Sequence, residues 1–305
     1  MNLRDLHYVL AVAELGHFGR AAVACNVSQP TLSAQILKLE DELGVRIFER
    51  IGRTVRPTAA GEEILAHARI VVNAEGDIVA AAKAGRDPLS GALRLGILPT
   101  LAPYLLPFLL PAAATALPSA PLKLVEDLTA NLVAGLRDGK LDAAIIASDS
   151  GDGQLRELVL FDEPFWIVLP QSHELAHRKA LRAADLDPKT LLLLADGHCL
   201  RDQALEFCGH PQLGEAAGAD IRATSLETLF QLTAANYGIT LAPDLAVRCG
   251  YAALAGLVTL PLVGPHHCRR VRLVTRSKMP RLQAIEKLAA IIREVLPAEL
   301  KRARA

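Results

Sequence analysis

The sequence predicts a mainly α N-terminal winged helix-turn-helix domain with a long linker helix, followed by an α/β domain built on open sheets. Three observations carry this. Two short helical segments meet at a tight turn around Asn26; apolar residues then recur every seven positions up to about Gly85; and after Asp87 strand-length apolar runs alternate with helical segments.

Each element has its own signal. Around Arg4 to Glu14, Leu6, Val9, Leu10 and Ala13 form one stripe that stops near Gly16. Gly19 to Cys25 is a helix of small residues. Asn26 tolerates a left-handed backbone, Ser28 is placed to cap the next helix, and Pro30 fits its first turn. That helix turns Leu32, Ile36, Leu39 and Leu43 inward. A second helix after a three-residue turn is the one that enters a DNA major groove with its N-terminal residues against base edges. The face expected to meet DNA therefore carries Gln29, Pro30, Thr31, Ser33, Gln35 and Lys38, with Ser33 and Gln29 or Gln35 reading bases.

Ile47-Phe48 and Thr54-Val55 flank a turn at Gly52 like a small wing, in which Arg46, Arg50, Arg53 and Arg56 face only Glu49. Alone, such arginines describe a solvated hairpin. Beside the helix-turn-helix they become phosphate contacts, Arg50 and Arg53 above all. The DNA-binding domain is thus read as residues 1–57. Residues 58–86 form the linker helix, capped by Thr58, with Ile64, Val71 and Ile78 and also Leu65, Val72 and Val79 spaced by seven, a pattern that suits dimerisation.

The strand-length runs beyond are Leu93 to Leu98, Leu122 to Glu126, Ala143 to Ala147, Phe165 to Leu169 and Leu191 to Leu194. Open sheets of this kind bind ligands beyond the carboxyl ends of their strands, which singles out the loops after Leu98, Asp127 and Ala195. Those loops carry Thr100, Thr129 and His198-Cys199.

Composition sets bounds. The chain has 305 residues, is 51 % hydrophobic and has a formal net charge of zero, so bulk charge says nothing about a polyanionic partner. No apolar run approaches a membrane span, and Met1-Asn2-Leu3-Arg4-Asp5 is unlike a signal peptide, so a cytoplasmic protein with no membrane partner is expected. Five cysteines do not form a secreted disulfide framework.

Two of those cysteines, Cys199 and Cys208, lie nine positions apart on what reads as one short helix. Nine helical steps separate them by about 13.5 Å and turn them to opposite faces, whereas a disulfide needs Cα atoms within about 7 Å. Oxidation would have to undo the helix. A cysteine opening a helix beside a histidine and basic groups is expected to have a lowered pKa and to form sulfenic acid readily.

The segments Phe18-Gly19-Arg20-Ala21-Ala22, Val27-Ser28-Gln29-Pro30-Thr31-Leu32-Ser33, Leu37-Lys38-Leu39-Glu40, Leu43-Gly44 and Phe48-Glu49-Arg50 resemble the LysR-type transcriptional regulators, as do Pro57-Thr58 and Ala60-Gly61. Asp196 to Cys208, Ala223 to Leu229 and Gly238 to Pro243 are similar to peroxide-sensing members of that family, and the likeness covers essentially the whole chain. It implies a periplasmic-binding-protein-like regulatory domain over 91–305. Its first subdomain would span about 91–162 and 269–300, its second about 163–268. It further implies a homotetramer assembled as a dimer of dimers, promoter DNA and RNA polymerase as partners, and activation of antioxidant genes. The sensing step would be a reversible Cys199–Cys208 disulfide formed on reaction with hydrogen peroxide and reset by a thiol reductant. Cys199 then corresponds to the peroxidatic thiol and Cys208 to the resolving one, with Thr100, Thr129, His198 and Arg270 orienting peroxide. No cofactor or metal is implied. Cys249 and Cys268 lie outside the expected pattern, Asn236 stands where glycine is expected, and Cys25 is read as a small buried hydrophobe.

Three other readings exist. His198, Cys199, Cys208 and His210 are all suitable zinc donors, as are His266-His267-Cys268, but structural zinc sites pair ligands at closer spacing. A thiol peroxidase would share the cysteine chemistry yet has no need of a DNA-reading arm. A LysR-type regulator of a small metabolite would leave the two cysteines incidental.

Overall fold

Asn2 and Asp5 cap the first helix reciprocally, each side chain accepting the other residue's amide, and Gly16 ends it in a left-handed conformation. This computed structural model describes residues 1–51, 54–84, 87–209 and 223–302, in two units, Met1–Arg86 and Asp87–Ala305.

In the first unit α1 (Leu3–Leu15), α2 (Phe18–Ala24) and α3 (Gln29–Leu43) pack around Leu6, Val9, Val12, Leu32, Ile36 and Leu39. The turn between α2 and α3 places Asn26 at φ +54°, and Ser28 accepts the amide of Thr31, both as the residue types predict. β1 (Phe48–Ile51) and β2 (Thr54–Pro57) pair antiparallel as the wing. Glu40 joins α3 to this wing. Its buried carboxylate accepts the amides of Ile47 (2.8 Å) and Phe48 (3.1 Å) and an Arg46 Nη1–H at 2.7 Å. Thr58 Oγ1 caps α4 (Ala59–Ala84), accepting the Gly61 amide at 2.9 Å. A Cβ on Gly61 would lie 2.1 Å from the Ile47 carbonyl oxygen, so only glycine allows this approach.

The seven-residue spacing in α4 divides between two roles. Leu65 and Ala68 are buried in the unit's own core, with Ile64 and Val72 packed against it, whereas Ile70, Val71, Ile78 and Val79 are exposed.

The second unit opens with β3 (Leu93–Ile97), α5 (Ala102–Ala116), β4 (Leu122–Glu126), α6 (Thr129–Arg137) and β5 (Ala143–Ile146). β3 lies between β4 and β5 and parallel to both, the order that helical crossovers produce. β6 (Leu155–Pro170) is far longer than the expected run at Phe165. β7 is shorter than expected, Leu191–Leu192, although Leu194 still bridges to Ala223. Then follow α7 (Cys199–Phe207), α8 (Leu226–Ala234), β8 (Ile239–Pro243), α9 (Asp244–Arg248), α10 (Tyr251–Leu254) and β9 (Leu257–Pro261). β10 (Cys268–Arg276), α11 (Leu282–Val295) and α12 (Ala298–Arg302) complete it.

Among the described residues the sheet order is β4-β3-β5-β10-β6-β8-β7, with β9 also on β6. β6 changes partners along its length: residues to Pro164 pair with β10, and those from Phe165 pair with β8 and β9. The strands β8, β9 and β10 carry no separate signal among the apolar runs of the sequence. Asn236 adopts φ +61°, a left-handed conformation that asparagine tolerates better than most residues, which accounts for its standing where glycine is expected.

Candidate redox site and DNA-reading surface

Cys199 is the first residue of α7 and Cys208 its C-terminal cap, so the helix expected from the spacing is present. Both thiols are free and half-buried, packed against the unit's core. The nine-residue helix holds them about 13.5 Å apart along its axis, outside disulfide reach. A single zinc ion could not be bound by both. Among the described residues no cluster of three or more His, Cys, Asp or Glu could hold a metal, and His210 lies outside the described residues.

The carboxyl ends of β3, β4 and β7 lead to the three loops singled out by the sheet rule. Gly197, at φ +90°, lets the turn before α7 come against Leu128, since a Cβ there would lie 3.0 Å from a Leu128 methyl. This brings the start of α7 to the start of α6. Thr129 Oγ1 is buried with no hydrogen bond of good geometry, and its hydroxyl acts on the Cys199 sulfur. Thr100 is buried and accepts from Arg269: Nη1 donates to Thr100 Oγ1 at 3.0 Å and Nη2 to its carbonyl at 3.2 Å. His198 is buried beside Cys199, and desolvation lowers its pKa, which favours the uncharged imidazole.

The arginine of this site is Arg269, which corrects the expectation of Arg270. Neighbouring residues of a strand point to opposite faces. Arg269 lies on the face of Val271 and Leu273 and is 2 % exposed. Arg270 points outward, donating to both Asp162 oxygens at 2.7 and 2.9 Å. The partner strand alternates in the same way: Asp162 stands opposite Arg270, and Glu163, fully buried, opposite Arg269. Arg269 Nε donates to Glu163 Oε2 at 2.8 Å, Nη2 lies equally close, and the Leu245 amide donates to Glu163 Oε1 at 2.9 Å. Glu163 went unrecognised in the sequence, although the pattern of β10, apolar at 271 and 273, marks 269 as inward facing. Gln203, one turn beyond Cys199, was also missed; its Nε2 donates to the Ala147 carbonyl at the end of β5 at 2.7 Å.

The expected lowering of the Cys199 pKa is also corrected. Burial pushes the thiol up, and this outweighs the opposing influences of the Arg269 charge, the Thr129 hydroxyl and the Leu200 amide; Asp202 adds to the rise. Burial likewise raises Cys208.

In the first unit Gln29, Pro30, Thr31 and Lys38 are exposed on α3, and Ser33 and Gln35 are half-buried. At 100° per residue, Thr31, Gln35 and Lys38 share one flank, while Gln29 and Ser33 share the other. Ser33 lines a cleft with Phe18, Leu37, Arg46 and Phe48. Arg46 is tied to Glu40, and Arg56 is exposed on the wing. Arg53 and the side chain of Arg50 lie outside the described residues.

Known families match both units: residues 3–62 match the bacterial regulatory helix-turn-helix protein, lysR family, and 86–297 the LysR substrate binding domain. The chain belongs to the LysR family of transcriptional regulators. It is 44 % identical over 297 residues to the DNA-binding transcriptional dual regulator OxyR of Escherichia coli K12, covering 96 % of this chain and 95 % of that one. It is 43 % identical over 302 residues to the hydrogen peroxide-inducible genes activator of Dickeya chrysanthemi, covering 99 % and 98 %. Among solved structures, a full-length cysteine-to-aspartate variant of OxyR from Pseudomonas aeruginosa superposes with TM-score 0.78 at 40 % identity, covering 96 % and 98 %. A peroxide-bound cysteine-to-serine variant of Corynebacterium glutamicum OxyR gives 0.66 at 37 % identity, covering 96 % and 92 %. Proteins of this family regulate transcription, which sets aside the peroxidase reading. Among the described residues no helix is long and apolar enough to cross a membrane.

Proposed function

We propose that this LysR-family regulator responds to hydrogen peroxide through Cys199 and Cys208. The observation that carries the reading is the placement of Cys199 at the first turn of α7, against the Thr129 hydroxyl and within the field of Arg269, while the same helix holds Cys208 out of reach. Thiol and peroxide give Cys199 sulfenic acid and water. The sulfur of Cys208 then attacks that of Cys199, expelling a second water and forming the disulfide. Thr129 and Thr100, the latter held by Arg269, are placed to orient the peroxide, and donors aimed at the departing oxygen steady its developing charge. His198, buried and next to Cys199 in the chain, has its pKa lowered by desolvation.

Because α7 cannot persist with the disulfide in place, oxidation changes the fold around it, and this change redirects the DNA-binding arms on promoter DNA. The arms read bases through Gln29, Thr31, Ser33, Gln35 and Lys38, next to Pro30, and grip phosphates through the wing, Arg50 and Arg53 included. The protein works in the cytoplasm as a homotetramer that engages RNA polymerase, activates antioxidant genes and is reset by a thiol reductant. It uses no metal or cofactor.

Brief stoichiometric peroxide, thiol trapping and mass spectrometry test this directly. A Cys199–Cys208 disulfide is expected, with a loss of far-ultraviolet helical signal and a changed footprint on promoter DNA. Cys199→Ser is expected to bind DNA as the reduced protein does and to give no peroxide response. A retained response in that variant would falsify the sensing role.

A further inference from the structure

Among the described residues Glu163 is the one carboxylate with no exposure at all, it is bonded to Arg269, and neither peroxide chemistry nor DNA binding requires a negative charge there. We propose that Glu163 is a positioning residue that sets the reactivity of Cys199 by engaging the charge of Arg269. The proposal rests on the reading of Cys199 as the sensing thiol.

The geometry gives the reason. A guanidinium in a protein stays charged, and a buried cation needs a counter-charge. Arg269 is bonded to the Glu163 carboxylate through Nε and Nη2, and its charge also acts on the Cys199 thiol. With Glu163 in place the cation is already paired; burial raises the Glu163 carboxyl against the pull of Arg269 and the Leu245 amide, and burial raises the Cys199 thiol as well. If Glu163 were neutral, the Cys199 thiol, on which the Arg269 charge already acts, could supply the counter-charge. The guanidinium would not have to move, because Thr100 holds it independently through its hydroxyl and carbonyl.

Other charges facing the pair do not replace this one. Asp244 lies on the Glu163 side, where its own partners are Trp166 and Arg248, and Asp202 on α7 disfavours the thiolate. Desolvation favours the uncharged form of His198. Glu163 therefore lowers the reactivity of the thiol by engaging the Arg269 charge.

The experiment follows alkylation of Cys199 by iodoacetamide from pH 6 to 10 in the reduced full-length protein, with peptide mass spectrometry separating it from the other four cysteines. Near-ultraviolet circular dichroism and promoter binding report folding. Glu163→Gln is expected to react about tenfold faster at neutral pH, as a thiol ionising one pH unit lower would. Glu163→Asp, which keeps the charge, should stay within about threefold of wild type. An unchanged or slower rate in folded E163Q overturns the proposal, as does a tenfold change in folded E163D. The double variant E163Q/R269Q removes both charges and decides the matter if E163Q does not fold. Its rate should be at or below wild type, and a faster rate would mean that Glu163 acts on the thiol directly. Peroxide oxidation of wild-type Cys199 is measured in parallel, and its absence would overturn the sensing reading while the alkylation series still decides the role of Glu163.

Discussion

Cys199 rests between opposing influences, with burial favouring the thiol and the Arg269 charge, the Thr129 hydroxyl and the Leu200 amide favouring the thiolate. The raised pKa makes stability depend on pH with a definite sign. Cys199 and Cys208 ionise at higher pH in the folded chain than in the unfolded one, so between the two values the folded state holds more protons. Their contribution is fully present below the ordinary thiol range and is lost as pH rises through the folded values. Under reducing conditions Tm is expected to fall from about pH 8.5 upward, and less steeply in Cys199→Ser. The two neighbouring arginines give a second expectation at this scale. Arg269→Gln leaves a buried carboxylate without its partner and should cost about 3–5 kcal/mol in chemical denaturation. Arg270→Gln, on the exposed face, should leave stability and peroxide response unchanged. Equal effects of the two would contradict the alternation along β10.

At the level of elements, the attachment of α3 to the wing depends on one carboxylate. Replacing Glu40 with alanine strips the Ile47 and Phe48 amides of their acceptor and frees Arg46. The expected loss is about 2–4 kcal/mol, on the basis that each unpaired buried donor costs about 1–3. Thermal unfolding of the N-terminal unit would measure it, and DNA affinity should fall with it because the wing no longer sits beside α3. The helices, the turn at Asn26 and the cap at Ser28 were legible because their signals are local: a 3.6-residue period, a left-handed asparagine and a serine before proline. β8, β9 and β10 were not. Their pairing depends on β6, a strand distant in sequence, and apolar content alone does not distinguish such segments from buried helix.

For the whole molecule, α4 presents Ile70, Val71, Ile78 and Val79 to solvent, an apolar face suited to a second copy of the chain. Ile78→Glu is expected to lower the oligomeric state in sedimentation velocity without changing the melting of the N-terminal unit, whose described core does not include Ile78. An unchanged oligomer would place the contact elsewhere. The sequence by itself determined the helix-turn-helix and its wing, the linker helix, the α/β character of the remainder and the two thiols too far apart on one helix to bond. All of these follow from spacing along a single segment. Only the tertiary structure decided which arginine enters the site, that Glu163 accompanies it, and that burial raises the Cys199 thiol. Those outcomes depend on strand register and on burial, and both arise from residues far apart in the sequence packing against each other.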